Sequence, residues 1–205
     1  MIINAINLKT KNNPNIFIVQ TDDGEFVLHS DVIVKYGLTT GVVDDKIFNK
    51  ACEDSKVIIA TNLTVKYLNS RLKTERQIHD YLKKKNFDSN TINEVIKKLK
   101  EYKLIDDDEY AKIFIRSNTG NSKLKLKQKL IAAGIDKNYI DDELKDFDDY
   151  DSCLNSAKRF LKSKEINKSN IEKLTRRLSY QGYKWDTIKK VLNSLTNADF
   201  DDMSF

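Results

Sequence analysis

Helix breakers, cysteine and histidine are all scarce in this sequence, and each shortage closes off a class of protein. Pro14 is the only proline, and three of the six glycines (Gly24, Gly37, Gly41) also lie in the first part of the chain. The remainder of the chain is almost free of both, as helices require, because these two residues are the least favourable in a helix interior. Cys52 and Cys153 are the only cysteines, far apart and without a C-x-x-C pair, so neither a disulfide framework nor a redox motif is expected and both are read as reduced, structural thiols. His29 and His79, with no cysteine beside either, make no zinc constellation. No metal or other cofactor is expected. No run of eighteen apolar residues occurs, and Met1-Ile2-Ile3-Asn4-Ala5 has neither the basic stretch nor the long apolar region of a secretory signal; a cytoplasmic chain with no membrane partner is expected. The loops G-x-x-x-x-G-K-[ST], G-x-G-x-x-G and G-x-S-x-G are missing as well, so the usual geometries for cradling phosphates or for elbow-type acyl transfer are missing too.

Apolar residues make up 40% of the 205 positions, enough to give one or two domains a buried core. The net charge of +5 is unevenly spread: −2 over residues 1–59, +6 over 60–105, −3 over 106–149 and +4 over 150–205. Two basic segments flank an acidic one, a distribution suited to a polyanion or a charged protein partner, although lysine also merely solvates helices.

The first 29 residues read as strands. Ile2–Leu8, Ile16–Gln20 and Glu25–His29 are separated by the turn formers Asn12-Asn13-Pro14-Asn15 and Asp22-Asp23-Gly24, and Asp-Gly between two β-rich runs is a strong hairpin signal. Short helices are expected at Asp31–Tyr36 and Asp44–Glu53.

Beyond this region the organising feature is an ungapped repeat of 48 residues. Ile78, Leu126 and Leu174 align, as do Leu82, Leu130 and Leu178; Phe87, Ile135 and Tyr183; Ile92, Ile140 and Ile188; Ile96, Leu144 and Leu192; and Leu99, Phe147 and Leu195. The i, i+4 and i, i+4, i+7 spacings within each copy describe two helices. Between them stands Asn86, Gly134 or Gly182, residue types that accept the left-handed conformation at a helix end. Thr74-x-x-Gln77 and Ser169-x-x-Glu172 fit capping boxes, and Asp88 and Asp136 can cap the last helix of their copies. A further apolar helix precedes each pair: Val65, Tyr67 and Leu68; then Tyr110, Ala111, Phe114 and Ile115; then Leu154, Ala157, Phe160 and Leu161. Lys123-Leu124-Lys125-Leu126-Lys127 alternates like a strand, yet its place in the repeat favours helix. The expected fold is mainly α, three tandem three-helix repeats in an elongated arc behind a small N-terminal β region. The segments are 1–58 (β-rich extension), 59–105, 106–149 and 150–197 (repeats) and 198–205 (acidic tail, expected to be loose).

Two acidic clusters and a set of basic residues carry the candidate chemistry. Asp106-Asp107-Asp108-Glu109 is the best metal or nuclease candidate, but acids in a first helical turn serve free amides and the helix dipole, which explains them without catalysis; Asp141, Asp142 and Glu143 are read the same way. The basic candidates for binding DNA or a nucleoprotein filament are Arg71, Lys73, Arg76, Lys83, Lys84 and Lys85 in the first repeat. Lys123, Lys125, Lys127 and Lys129 belong to the second, and Arg159, Lys162, Arg176 and Arg177 to the third, accompanied by Lys164 and Lys173. Their recurrence in all three copies suits a surface that tracks phosphates, while the plainer explanation is a solvated face. Tyr81, Tyr180 and Trp185 are candidates for stacking on bases.

The pattern Tyr67-Leu68-x-x-Arg71-x-x-Thr74-Glu75-x-Gln77-Ile78-x-x-Tyr81-Leu82-Lys83-Lys84-Lys85 resembles the opening signature of the RecX family of bacterial regulators. Leu104-Ile105-Asp106-Asp107-x-Glu109-Tyr110-Ala111, with the lysine-rich helix to Leu130 and Gly134-Ile135, is similar to that family's second repeat. The N-terminal strands resemble the extension of its longer members. Lys103 stands where the family usually has glycine, and Asn121-Ser122 where Gly-Pro is common. The resemblance implies a non-enzymatic protein that lodges in the groove of a RecA recombinase filament on single-stranded DNA and modulates strand exchange, ATP hydrolysis and co-protease activity; the chain itself is expected to be a monomer. Some members of the family also bind DNA by themselves, and weak, sequence-tolerant binding of single-stranded DNA is expected from phosphate contacts. From residue pattern alone, a helix-turn-helix transcription factor and an acid-cluster nuclease stand as rivals, separable by base-specific readout and by metal-dependent cleavage.

Overall fold

A computed structural model describes residues 1–69 and 71–201, with side chains described up to residue 196. Strands β1 (Ile2–Thr10), β2 (Asn13–Thr21), β3 (Gly24–His29) and β4 (Gly41–Val42) form an antiparallel sheet in the order β3-β2-β1-β4. The Asp-Gly signal is a tight hairpin as expected: Thr21 pairs with Gly24, whose φ of +138° glycine alone adopts readily. The other expected turn is shorter than 12–15. It occupies Lys11-Asn12, and Asn13, Pro14 and Asn15 belong to β2. Pro14 is tolerated there because it falls outside the residues paired with either neighbour, at the irregularity between Leu8 and Thr10 and before Ile16, where pairing with β3 begins.

Helix α1 (Ser30–Lys35) comes next, capped by the imidazole of His29, which accepts from Asp31 N. Where two separate helices were expected around residues 44–53 and 65–68, one 24-residue helix, α2 (Asp45–Leu68), runs through both. Asp44 caps it, and no proline or glycine interrupts it. The N-terminal extension and the first repeat therefore share a helix, and the expected boundary at 58/59 falls inside it. One part of α2 supplies Phe48 and Ala51 to the sheet core beside Ile3, Val19, Leu28, Val32 and Leu38. Farther along, Val57 and Ala60 enter the core of the first repeat. Of the expected Val65, Tyr67 and Leu68, Leu68 packs against that core and Tyr67 stacks on Tyr81. Val65 is exposed, and Val57, Ala60 and Thr64 are the buried positions.

Helices α3 (Glu75–Lys84) and α4 (Ser89–Glu101) complete the first repeat; α5 (Asp107–Ser117), α6 (Lys123–Ala133) and α7 (Lys137–Glu143) form the second; α8 (Tyr150–Leu161), α9 (Lys168–Tyr180) and α10 (Trp185–Asp201) form the third. The fold is thus mainly helical with an N-terminal four-stranded sheet, and the strand-like lysine-leucine alternation is helix α6. None of the eighteen residues in the six aligned columns is exposed, and each repeat gathers its own into a separate cluster. Each column is apolar because its side chains pack into these clusters, with only the Tyr183 hydroxyl bonded to a polar side chain there, that of Ser152 at 2.7 Å.

The turns repeat as closely as the cores. Asn86, Gly134 and Gly182 all have positive φ (63°, 95° and 88°). In each case the next amide reaches back to the helix: Phe87 N to Leu82 O, Ile135 N to Leu130 O and Tyr183 N to Leu178 O. A fourth copy of this termination ends α4, where Leu104 N bonds Leu99 O and Lys103 holds φ 53° without being glycine. Thr74 and Gln77 make the expected capping box, and Asp88 and Asp136 cap α4 and α7. The third repeat differs: α9 is capped by Asn167, two residues before Ser169, so Ser169 and Glu172 form no capping box. Helix α10 continues to Asp201, four residues into the segment expected to be a loose tail; 202–205 lie outside the described residues.

The chain divides into two compact units, residues 1–106 and 107–205. Inside the second unit, repeats two and three are joined at one polar seam. Ser122, 1% exposed, accepts from Lys125 N as the cap of α6 and donates to Gln181 O at 2.7 Å. The buried carboxylate of Asp149 accepts from Lys123 N at 2.8 Å and from the Thr187 hydroxyl at 3.3 Å. A Cβ on Gly182 would stand 3.0 Å from Ser122 Oγ, so this glycine serves both its φ and a close approach.

Candidate nucleic-acid interface

The basic residues sort by what holds their charge. In the first repeat, Arg71 is exposed in the loop after α2, Arg76 in the first turn of α3, and Lys83, Lys84 and Lys85 at its end. Lys73 is half-buried, its ammonium 4.6 Å from the centre of the Tyr67 ring. Tyr67 in turn stacks on Tyr81, with centroids 4.2 Å apart and planes 8° from parallel, and Lys85 lies 5.9 Å from the Tyr81 ring. The structure thus brings Lys73 and Lys85 onto one pair of stacked rings. Tyr81, a candidate for base stacking, already has a ring against it.

Repeat two separates its four lysines. Lys125 and Lys129 are exposed, whereas Lys123 and Lys127 are half-buried on an adjoining side of α6. Lys127 is ion-paired with Asp141, and Lys123 Nζ donates to Lys145 O at 2.9 Å. An i, i+4 spacing puts each pair on one side of the helix, and the packing of α7 decides which pair is engaged. Asp141, Asp142 and Glu143 lie at the end of α7, not in its first turn as the sequence suggested, because the cap at Asp136 starts that helix earlier. The Asp107-Asp108-Glu109 run does occupy the first turn of α5, and among the described residues no cluster of three or more acids, histidines or cysteines is arranged to hold a metal.

In repeat three Arg159, Lys162, Arg176 and Arg177 are all exposed. Arg159 and Arg177 line one cleft of about 430 Å³ together with Lys164, Phe160, Ser156 and Gln181. Lys164 Nζ sits 3.5 Å from the centre of the Phe160 ring and the Arg177 guanidinium carbon 5.8 Å from it. Ser156 donates to Gln181 Oε1 at 2.7 Å, which leaves the amide nitrogen of Gln181 as a further donor. Sequence reasoning assigned Phe160 to the core and gave it no part in the basic surface. The signal was present: Tyr67, Phe114 and Phe160 each stand one place before the last aliphatic residue of their repeat's first helix, Leu68, Ile115 or Leu161. Tyr180, 94% exposed, and Trp185, 60% exposed, are open aromatic surface.

Neither cysteine belongs to this surface. Burial pushes the Cys153 thiol up to about 11, with Asp149 adding to the effect, and burial also raises that of Cys52.

Comparison with known proteins agrees with this architecture. Residues 60–99, which hold the end of α2, α3 and most of α4, match the family model described as RecX, first three-helix domain. The chain is similar to the "Regulatory protein RecX" of Clostridium tetani, with 31% identity over 96% of this chain and 95% of that one. It is also similar to the protein of the same name from Finegoldia magna, with 31% identity over 93% and 98%. A crystal structure of regulatory protein RecX shares the fold at a TM-score of 0.70, with 20% identity, 94% of this chain and 98% of that chain covered. With the repeat signatures, the four matching helix terminations and relatives above 30% identity along nearly its whole length, the chain belongs to the RecX family.

Proposed function

We propose that this protein is a non-enzymatic, monomeric, cytoplasmic regulator that binds the RecA filament on single-stranded DNA and lowers its ATPase, strand-exchange and co-protease activities. One observation carries this: the likeness to proteins named regulatory protein RecX runs through the sheet and all three repeats and is not confined to a single helix pair. Geometry supports it. Arg71, Arg76, Lys83, Lys84, Lys125, Lys129, Lys162 and Arg176 are exposed, and none is in an ion pair among the described residues. Such cations are available to phosphates or to acidic protein surfaces. Lys123 and Lys127 contribute mainly to holding α6 on its neighbours.

Several such contacts, each weak alone, become strong when engaged together on a polymer that presents the same partner at regular intervals. A protein with higher affinity for the filament than for free recombinase shifts the equilibrium towards the state it binds, and it opposes subunit motions that alter that state. Binding to bare single-stranded DNA is weaker, tolerant of sequence and steeply salt-dependent, because phosphate contacts release counterions.

The test is to add the protein to preformed filaments while following ATP hydrolysis and co-sedimentation together. The expected result is co-sedimentation with falling hydrolysis, stronger than co-sedimentation with bare DNA. No co-sedimentation and no change in hydrolysis at micromolar protein and low salt would overturn the proposal.

A further inference from the structure

Several cations that this chain holds in place are held by carboxylates. Lys35 pairs with Asp54, Lys98 with Glu94, Lys100 with Glu75 and Lys127 with Asp141. The cleft formed by α8, the loop after it and the end of α9 is built differently. Arg159, Lys164 and Arg177 converge on it, no aspartate or glutamate lines it, and none of the three is in an ion pair among the described residues. What fixes the geometry is the ring of Phe160, with Lys164 3.5 Å and Arg177 5.8 Å from its centre. An aromatic face attracts a cation through its quadrupole without cancelling its charge. Donors held this way stay free for an anion, whereas donors held by a carboxylate are already satisfied. Arg159 is steadied from the other side, Nε donating to Asn155 O at 3.2 Å, which leaves the terminal nitrogens of its guanidinium as donors.

We propose that this cleft is the seat for a backbone phosphate of single-stranded DNA, with Arg159, Lys164 and Arg177 as its ligands and Phe160 as the positioning residue that holds two of them. This deepens the function proposed above, and rests on it for the identity of the anion. Three convergent cations with the Gln181 amide beside them match the several oxygens of a phosphodiester better than one carboxylate. A contact to the phosphate carries no base identity, so the seat is indifferent to sequence. The first repeat holds a parallel: Lys73 and Lys85 lie against the stacked rings of Tyr67 and Tyr81. The same device of cations on aromatic faces thus occurs in both compact units.

The experiment measures binding of a labelled oligothymidylate to the full chain by fluorescence anisotropy across a salt series, with filament co-sedimentation run on the same proteins. Lys164→Ala with Arg177→Ala is compared with Lys50→Ala with Lys98→Ala, a pair that removes the same charge from carboxylate-paired sites. The cleft variant is expected to bind about tenfold more weakly, with the slope of log affinity against log salt flattened by about 0.7, the value for one phosphate contact on a single strand. The control pair keeps the wild-type slope. Phe160→Leu, which leaves every charge in place, is expected to lose affinity several-fold, and Phe160→Tyr to restore it at the same melting temperature. Equal binding by the cleft variant and wild type, or no binding by wild type, overturns the seat. If the cleft variant loses DNA but wild type fails to sediment with filaments, the seat stands and the filament function falls. If wild type sediments and the cleft variant binds DNA normally, the reverse holds.

Discussion

Replacing Ser122 separates a local helix cap from a joint between repeats. The hydroxyl does two jobs: it accepts from Lys125 N at the start of α6, and it donates to Gln181 O across the seam. Loss of an N-cap alone costs about 1 kcal/mol. Leaving the Gln181 carbonyl without its partner at a site where Ser122 is 1% exposed adds about 1–3 kcal/mol. Ser122→Ala is therefore expected to destabilise the second unit by about 2–4 kcal/mol, a fall of roughly 1–2 M in urea midpoint for an m value near 2 kcal/mol/M. Ser122→Asp makes the decisive comparison. Aspartate caps as well as serine, but its carboxylate cannot donate, and it would set a negative charge beside a carbonyl oxygen. It should cost at least about 2 kcal/mol although the cap is kept. Fluorescence is the suitable probe, because Trp185 is the only tryptophan and lies at the start of α10 in the unit concerned. If Ser122→Asp unfolds within about 0.5 kcal/mol of wild type, the bond to Gln181 does not join the repeats and the reasoning fails.

Lys103 occupies a left-handed position that disfavours any residue with a Cβ; Lys103→Gly is expected to raise stability by about 0.5–1 kcal/mol, checked by thermal melting. The Cys153 thiol, raised to about 11 by burial, stays protonated at pH 8 and should resist a thiol reagent in the native protein while reacting at once in denaturant; rapid native labelling at Cys153 would contradict its placement. Asp88 is held below the ordinary carboxylate range, chiefly by the Thr91 amide it caps. Its contribution is fully present above the unfolded value of about 4 and is lost as pH falls through the lower folded value, so the deficit of Asp88→Ala, about 1 kcal/mol at neutral pH, should shrink on acidification in parallel urea titrations.

What the sequence determined by itself is what repeats along it. A column that is apolar in three copies reports burial directly, since only apolar surface gains by leaving water, and Asn86, Gly134 and Gly182 report a left-handed turn because few residue types tolerate one. The scarcity of proline and glycine after the hairpin likewise made the helices legible. Four features were decided only by tertiary structure. Helix α2 is one element because its ends enter two different cores, which no local pattern records. The cap of α9 moved to Asn167 because Asn167, Ser169 and Asn170 all compete for the role and a local motif cannot rank them. The four lysines of α6 look alike in sequence, yet Asp141 and Lys145 engage two of them, and the loop that brings those partners near is not encoded within α6. Phe160 is the clearest case. Its spacing marks it as apolar and half-buried, but whether a ring faces a core or carries Lys164 and Arg177 depends on side chains from a loop and another helix, and only the folded chain assembles them.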